Sequence, residues 1–306
     1  MAHPRRREAE NRRLGFIALI TTVFCFGTLW TAAKFSIDYI PPLWFTAGRY
    51  AIGALFIVFV LRAQGRLTLP DRADIPIILS VGGVMLGLYS SIFQNALQFV
   101  DAGRATILGY TTAIFVTPLA ILLLGERLSR LKGMGLAAAL SGFLILFSPA
   151  EMNWSDPDIV IGNGLLVLCV MLWSAVILHL RVHRQVSDTL SLVPWYLLVS
   201  GIVAMIAALI FEGPPVFGVS TTGWLLFLYT GVVCSGIGNW GVTTAIMNLP
   251  ATTSSIGLLG VPVFATVISI LFLGEALTLP LVAGLGLIVG GIAAVTLSRD
   301  GKSRIG

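Results

Sequence analysis

What most constrains this chain is the recurrence, from one end to the other, of apolar stretches about 20 residues long. A helix of that length crosses the ~30 Å hydrocarbon layer of a bilayer, and only short polar breaks separate one stretch from the next. With 57% hydrophobic and 11% charged residues among 306, and a mean hydropathy of +0.94, nothing is left over for a large water-soluble domain. The sequence therefore describes an all-α integral membrane protein whose function is carried out inside the bilayer.

Breaks at 41–42, 62–74, 101–104, 126–132, 149–157, 181–188, 212–215, 248–250 and 275–280 divide the chain into ten expected spans. They run over 14–34, 43–62, 75–98, 103–124, 131–148, 160–180, 190–211, 223–246, 251–273 and 280–298. The basic start MAHPRRREAENRR precedes a run, Leu14 to Ala33, that is long enough to span and has no convincing cleavage site, so it reads as a retained first helix. Lysine and arginine are held on the cytoplasmic side of a membrane. They gather before Leu14, at Arg62 to Arg72, Arg127 to Lys132, Arg181 to Arg184 and Arg299 to Arg304, while the opposite ends hold only Lys34 and Arg104 beside the acidic Glu151, Asp156 and Asp158. Both termini are thus expected in the cytoplasm, with the chain multi-pass in a bacterial inner (plasma) membrane.

Two of the breaks repeat each other. Shifting the sequence by 149 residues lays Gly125-Glu126 on Gly274-Glu275, Ala102 on Ala251, Phe115 on Phe264, Gly135 on Gly284 and Gly142 on Gly291. This predicts a basic tail (1–13), a five-helix repeat (14–148), an outer loop (149–159), a second five-helix repeat (160–298) and a tail (299–306). Five is odd, so the second copy enters the membrane from the other side. Such inverted repeats belong to secondary carriers, in which two oppositely oriented halves open a central site to each side in turn. The Gly-Glu pair is read as the turn between the fourth and fifth spans of each half, and its glutamate is expected to cap the next helix.

Polar and aromatic groups at mid-membrane are costly unless they face protein or a wet cavity. Trp30, Trp44, Trp154, Trp195 and Trp224 fall near span ends or in a loop and are expected to be interfacial anchors. Trp173 lies about 20 Å along span six and either fills space or lines a cavity. The 149-residue shift sets Tyr89-Ser90-Ser91 on Gly238-Asn239-Trp240, so the two triplets are expected to face one cavity. Tyr110, Thr111 and Thr112, with Gln94 and Asn95, join them. Arg49, about 9 Å inside span two, either snorkels outward, caps carbonyls or attracts a substrate carboxylate. His179 reads as interfacial.

Several classes are excluded. All fourteen Asp and Glu residues lie in loops, tails or span ends, which counts against a multidrug cation/proton antiporter. Cys25, Cys169 and Cys234 sit in apolar runs, as buried hydrophobes do, so neither a metal nor any cofactor is expected. The net charge of +5 comes from short loops without an aromatic-interleaved patch, which argues against nucleic acid. No paired carboxylates, HExxH or nucleophile-base set appears at membrane depth, so an enzyme is not expected.

The stretch NALQFVDAGRATILGYTTAIFVTPLAILLLGERLSRLKGMGLAAALSGFLIL, its echo from Ala245 to Val295, the segment Gly27 to Lys34 and the pair Arg49-Tyr50 resemble the EamA repeat of the drug/metabolite transporter superfamily. The resemblance covers nearly the whole chain. It departs at GEALTLP, which keeps the Gly-Glu pair and loses the positive charge after it. It implies export of amino acids, aromatic and other neutral ones first, by alternating access through a central cavity. A carrier of phosphorylated or nucleotide-linked sugars is the rival, but it calls for several intramembrane cations where Arg49 stands alone. The expected partners are a small-molecule substrate and the lipid bilayer; the oligomeric state stays open, a monomer being plausible.

Overall fold

The computed structural model describes residues 4–124, 129–147, 155–183, 185–215, 220–249, 254 and 257–297, and no strand occurs among them. In chain order the helices are α1 (Pro4–Ser36), α2 (Pro42–Ala63), α3 (Arg72–Ala96), α4 in two pieces (Ala102–Gly109 and Thr112–Leu124), α5 (Arg130–Phe147) and α6 (Pro157–Val182). After them come α7 (Thr189–Phe211), α8 (Thr221–Asn248), α9 (Gly260–Leu273) and α10 (Leu279–Leu297). Six of them, α1, α2, α3, α6, α7 and α8, are long and apolar enough to cross a membrane unaided. Helix starts reflect local chemistry: proline in the first turn of α2 and α6, the Asp156 carboxylate accepting the Asp158 N–H at 3.1 Å, and Ser220 Oγ accepting the Gly223 N–H at 3.2 Å. α9 stops at Gly274, whose φ of +67° suits glycine and penalises other residues.

Irregularities recur at the 149-residue spacing. In α3 the stretch Leu79–Leu88 is π-helical, and so is Tyr229–Ile237 in α8; adding 149 to the first range gives 228–237. α4 breaks at Tyr110, and the residue 149 further on, Leu259, interrupts the start of α9. A π-helical turn inserts an extra residue and rotates everything after it, and regular α-helix resumes at matched positions in the two halves, Tyr89 and Gly238.

α5 and α10 lie against each other with their glycines exchanged. A Cβ on Gly142 would stand 2.7 Å from the Gly284 carbonyl oxygen, and one on Gly291 would stand 2.5 Å from that of Gly135. The shift turns one contact into the other, since 142 and 135 become 291 and 284. Gly142 against Ile288 and Gly291 against Ala139 are exchanged in the same way. A contact that maps onto itself marks a local two-fold axis between the helices, and it requires them to run antiparallel.

Carboxylates tie the helix ends. Glu212, past α7, accepts the N–H of Leu43 at 2.8 Å and of Trp44 at 3.1 Å as α2 begins. Glu275, past α9, accepts those of Ala102 at 2.6 Å and Gly103 at 3.0 Å as α4 begins. At the opposite end fully buried Asp74 accepts the N–H groups of Val186 and Ser187, both at 2.8 Å, just before α7. Each takes up two N–H groups that need an acceptor, and the first two also oppose the positive end of a helix dipole. The expectation that the turn glutamate caps its own next helix is therefore corrected for Glu275: Thr278 Oγ1 accepts the Leu281 N–H of α10 at 3.3 Å, and Glu275 is left to bridge the halves. Glu126 lies outside the described residues.

Candidate functional site

The close approach of α2 and α8 builds the centre of the site. A Cβ on Gly231 would stand 2.6 Å from Ile52 Cγ2 and 3.1 Å from the Arg49 carbonyl oxygen, so only glycine lets the helices meet there. Arg49, 2% exposed, thereby reaches Ser235 and donates from Nη1 to its Oγ at 3.0 Å. Its guanidinium carbon lies 4.0 Å from the Tyr50 ring centre and 5.8 Å from that of Trp30. Nε has no partner, and among the described residues no carboxylate pairs with this cation. The snorkelling alternative is thus corrected: the helix is tightly covered at Arg49, and the cation ends among rings.

Rings continue from there into the bundle. Trp30 lies 4.1 Å from Phe93 and 6.3 Å from Tyr89. Tyr89 stacks on Phe93 at 5.5 Å and meets Trp173 edge-on at 4.9 Å. The Tyr50 and Ser90 hydroxyls share a hydrogen bond of 2.6 Å, and a Cβ on Gly109 would stand 3.0 Å from the Tyr89 hydroxyl, which brings the break in α4 onto the same ring. The outcome is an unbroken strip, Trp173, Tyr89, Trp30, Arg49, drawn from α6, α3, α1 and α2. Ser91 Oγ, Thr31 Oγ1 and Gln94 Oε1 are buried on α3 and α1 without hydrogen-bond partners.

The remaining expected site residues divide. Ser174 Oγ, next to Trp173, donates to the Val170 carbonyl oxygen of its own helix at 2.7 Å and lies 3.4 Å from the Thr112 carbonyl oxygen, beside the break at Tyr110. Asn239 donates to the Ser235 carbonyl oxygen at 2.7 Å, one turn from the Arg49 contact. Asn95 and Thr111 satisfy their own helices, donating to the carbonyl oxygens of Ser91 at 2.9 Å and Leu108 at 2.6 Å. Trp240 packs against the cluster that α2 and α7 form between them, which includes Tyr50, Leu190 and Leu197. His179 Nδ1 lies 2.8 Å from Ser80 Oγ, outside the strip.

Trp30 is a correction. Its place near the end of a span suggested an interfacial anchor, yet it is 8% exposed and sits between Arg49 and Phe93. Distance from a helix end gives depth only when the helix end lies at the membrane surface, and α1 runs on to Ser36. Its membership in the family-like segment Gly27 to Lys34 was the available signal. Trp44 does hold an end position, donating from Nε1 to the Gly213 carbonyl oxygen at 3.2 Å; Trp154 lies outside the described residues.

Apolar helices long enough to span, a duplicated architecture and a buried cation in an aromatic interior define a multi-pass membrane transporter. The chain belongs to the EamA-like transporter family, whose profile matches residues 13–148 and again 160–297. It is 28% identical to the uncharacterized transporter YoaV of Bacillus subtilis, over 90% of this chain and 94% of that one. It is 26% identical to a probable amino-acid metabolite efflux pump of Salmonella typhimurium, over 92% and 94%. A probable terminal-alkyne amino-acid exporter of Streptantibioticus cattleyicolor is 23% identical over 94% and 95%. A crystal structure of a protein 23% identical shares the fold, with a TM-score of 0.68 over 94% of this chain and 98% of that one. The protein is a transporter and not an enzyme.

Proposed function

We propose that this protein exports amino acids, aromatic and other neutral ones, across the bacterial inner membrane by alternating access between two inverted five-helix repeats, with ten spans and both termini in the cytoplasm. The observation that carries the reading is Arg49: a guanidinium buried at span depth, held by one serine and two rings and with no carboxylate partner among the described residues, stands ready for the carboxylate of a substrate. The ring strip from Trp30 to Trp173 offers apolar faces to the side chain of that substrate. Names carried by relatives from Salmonella typhimurium and Streptantibioticus cattleyicolor agree with the substrate class. A single guanidinium suits one carboxylate better than a phosphorylated sugar, which calls for several cations.

The carboxylate ties hold helix ends together at both ends of the bundle, and in this reading the ties at one end open when the site faces that side. Counterflow of labelled phenylalanine, threonine and alanine into proteoliposomes, with and without a pH gradient, tests the proposal. Exchange above protein-free liposomes is the expected result, and its absence for all three removes the amino-acid reading.

A further inference from the structure

The charge inventory around Arg49 goes further than the substrate class just proposed. The described buried charged side chains are Arg49, Asp74 and Lys132. Asp74 is engaged by the Val186 and Ser187 N–H groups at the inner end, next to the α6–α7 turn, and does not reach Arg49. The centre of the bundle therefore holds one positive charge and, among the described residues, no negative one. A carboxylate arriving at Arg49 makes the pair neutral. An ammonium arriving with it restores the excess positive charge in a place where charge is poorly solvated.

The two rings beside Arg49, Tyr50 and Trp30, already have its guanidinium over them, at 4.0 and 5.8 Å from their centres. The partnerless oxygens on α1 and α3, Thr31 Oγ1, Ser91 Oγ and Gln94 Oε1, are neutral. Neutral oxygens can accept from an ammonium but bring no negative charge to offset it, whereas a carboxylate on a guanidinium gains charge-assisted hydrogen bonds and cancels the charge of both groups.

We infer that the site reads the carboxylate and the apolar side chain of its substrate and does not read the α-ammonium, so that monoanionic aromatic acids lacking the amino group are substrates on a par with the amino acids. This rests on the reading of Arg49 and the ring strip as the substrate site. Removing the ammonium from a ligand costs little; removing the carboxylate leaves a buried guanidinium unpaired.

Three ligands with one benzyl group separate the terms: phenylalanine, 3-phenylpropanoate, which lacks the ammonium, and 2-phenylethylamine, which lacks the carboxylate. Each is radiolabelled and bound by equilibrium dialysis to the purified full chain in detergent, against protein-free micelles. The dissociation constant of 3-phenylpropanoate is expected to be equal to or lower than that of phenylalanine, within about threefold, and that of 2-phenylethylamine higher by about tenfold or more. Binding of 3-phenylpropanoate tenfold weaker than phenylalanine, or of the amine as tight as phenylalanine, overturns the inference and leaves the amino-acid proposal standing. Binding of 3-phenylpropanoate without phenylalanine removes the stated parity and the amino-acid reading together. Silence from all three ligands overturns both.

Discussion

Glu275, just past the end of α9, accepts the backbone N–H of Ala102 at 2.6 Å and so fastens the second half of the chain to the first turn of α4. Its other oxygen takes the Gly103 N–H at 3.0 Å, and both donors would otherwise be left without helical partners. Glu275→Ala is expected to lower stability by about 1–2 kcal/mol, the range for losing a helix N-cap. Glu275→Gln keeps an acceptor and should lose less. Thermal midpoints in detergent decide it: equal midpoints for wild type and Glu275→Ala would show that the tie contributes nothing.

The α5–α10 contact gives a prediction with its own control. Gly291→Ala puts a methyl group 2.5 Å from the Gly135 carbonyl oxygen, so the helices must separate; about 1–3 kcal/mol of destabilisation is expected, the usual cost of overpacking. Gly290 has nothing within 4 Å of its would-be Cβ, and Gly290→Ala should be neutral or slightly stabilising through helix propensity. Folded yield and thermal midpoint report both variants, and equal effects would contradict the contact geometry.

Arg49→Gln removes the charge and keeps donors for Ser235. Folded protein is expected to persist, because the hydrogen bond to Ser235 is replaceable, while affinity for carboxylate-bearing ligands falls by about tenfold or more. If the folded variant binds phenylalanine as wild type does, Arg49 has a structural role only.

Trp173→Ala deletes the ring that meets Tyr89 edge-on at 4.9 Å. Aromatic substrates should weaken more than small ones, by up to about tenfold, since stacked aromatic pairs are worth roughly 0.5–1.5 kcal/mol beyond burial. Trp173→Phe should retain much of the effect. Equal loss for phenylalanine, threonine and alanine in liposomes, at matched protein levels, would assign Trp173 to packing.

Orientation is read by cysteine labelling. The native thiols Cys25, Cys169 and Cys234 are buried, so the wild-type background is low. Cysteines placed at the exposed positions Arg66 and Arg130 should react only with reagents that reach the cytoplasm, and those at Gln98 and Asp158 only from outside. The opposite pattern reverses the proposed topology.

The sequence alone determined the membrane class, because a bilayer accepts backbone only with its own hydrogen bonds satisfied and long apolar runs are the visible result. It also determined the duplication: Gly135, Gly142, Gly284 and Gly291 stand at the 149-residue spacing before any contact between them is seen. It singled out Trp173, Tyr89, Ser90 and Arg49, since ring and polar groups at depth are rare enough to be noticed one by one. What it could not hold was which helix each side chain faces. In a chain where nearly every turn is apolar, the pattern carries little sense of an inside and an outside. The three-dimensional packing decided that Trp30 joins the rings, that Trp240 leaves for the α2–α7 side, and that Asn95 and Thr111 are spent on their own helices. It also decided that Glu275 serves α4, because packing sets a carboxylate's partner by bringing donors within about 3 Å, however far apart the residues stand in the chain.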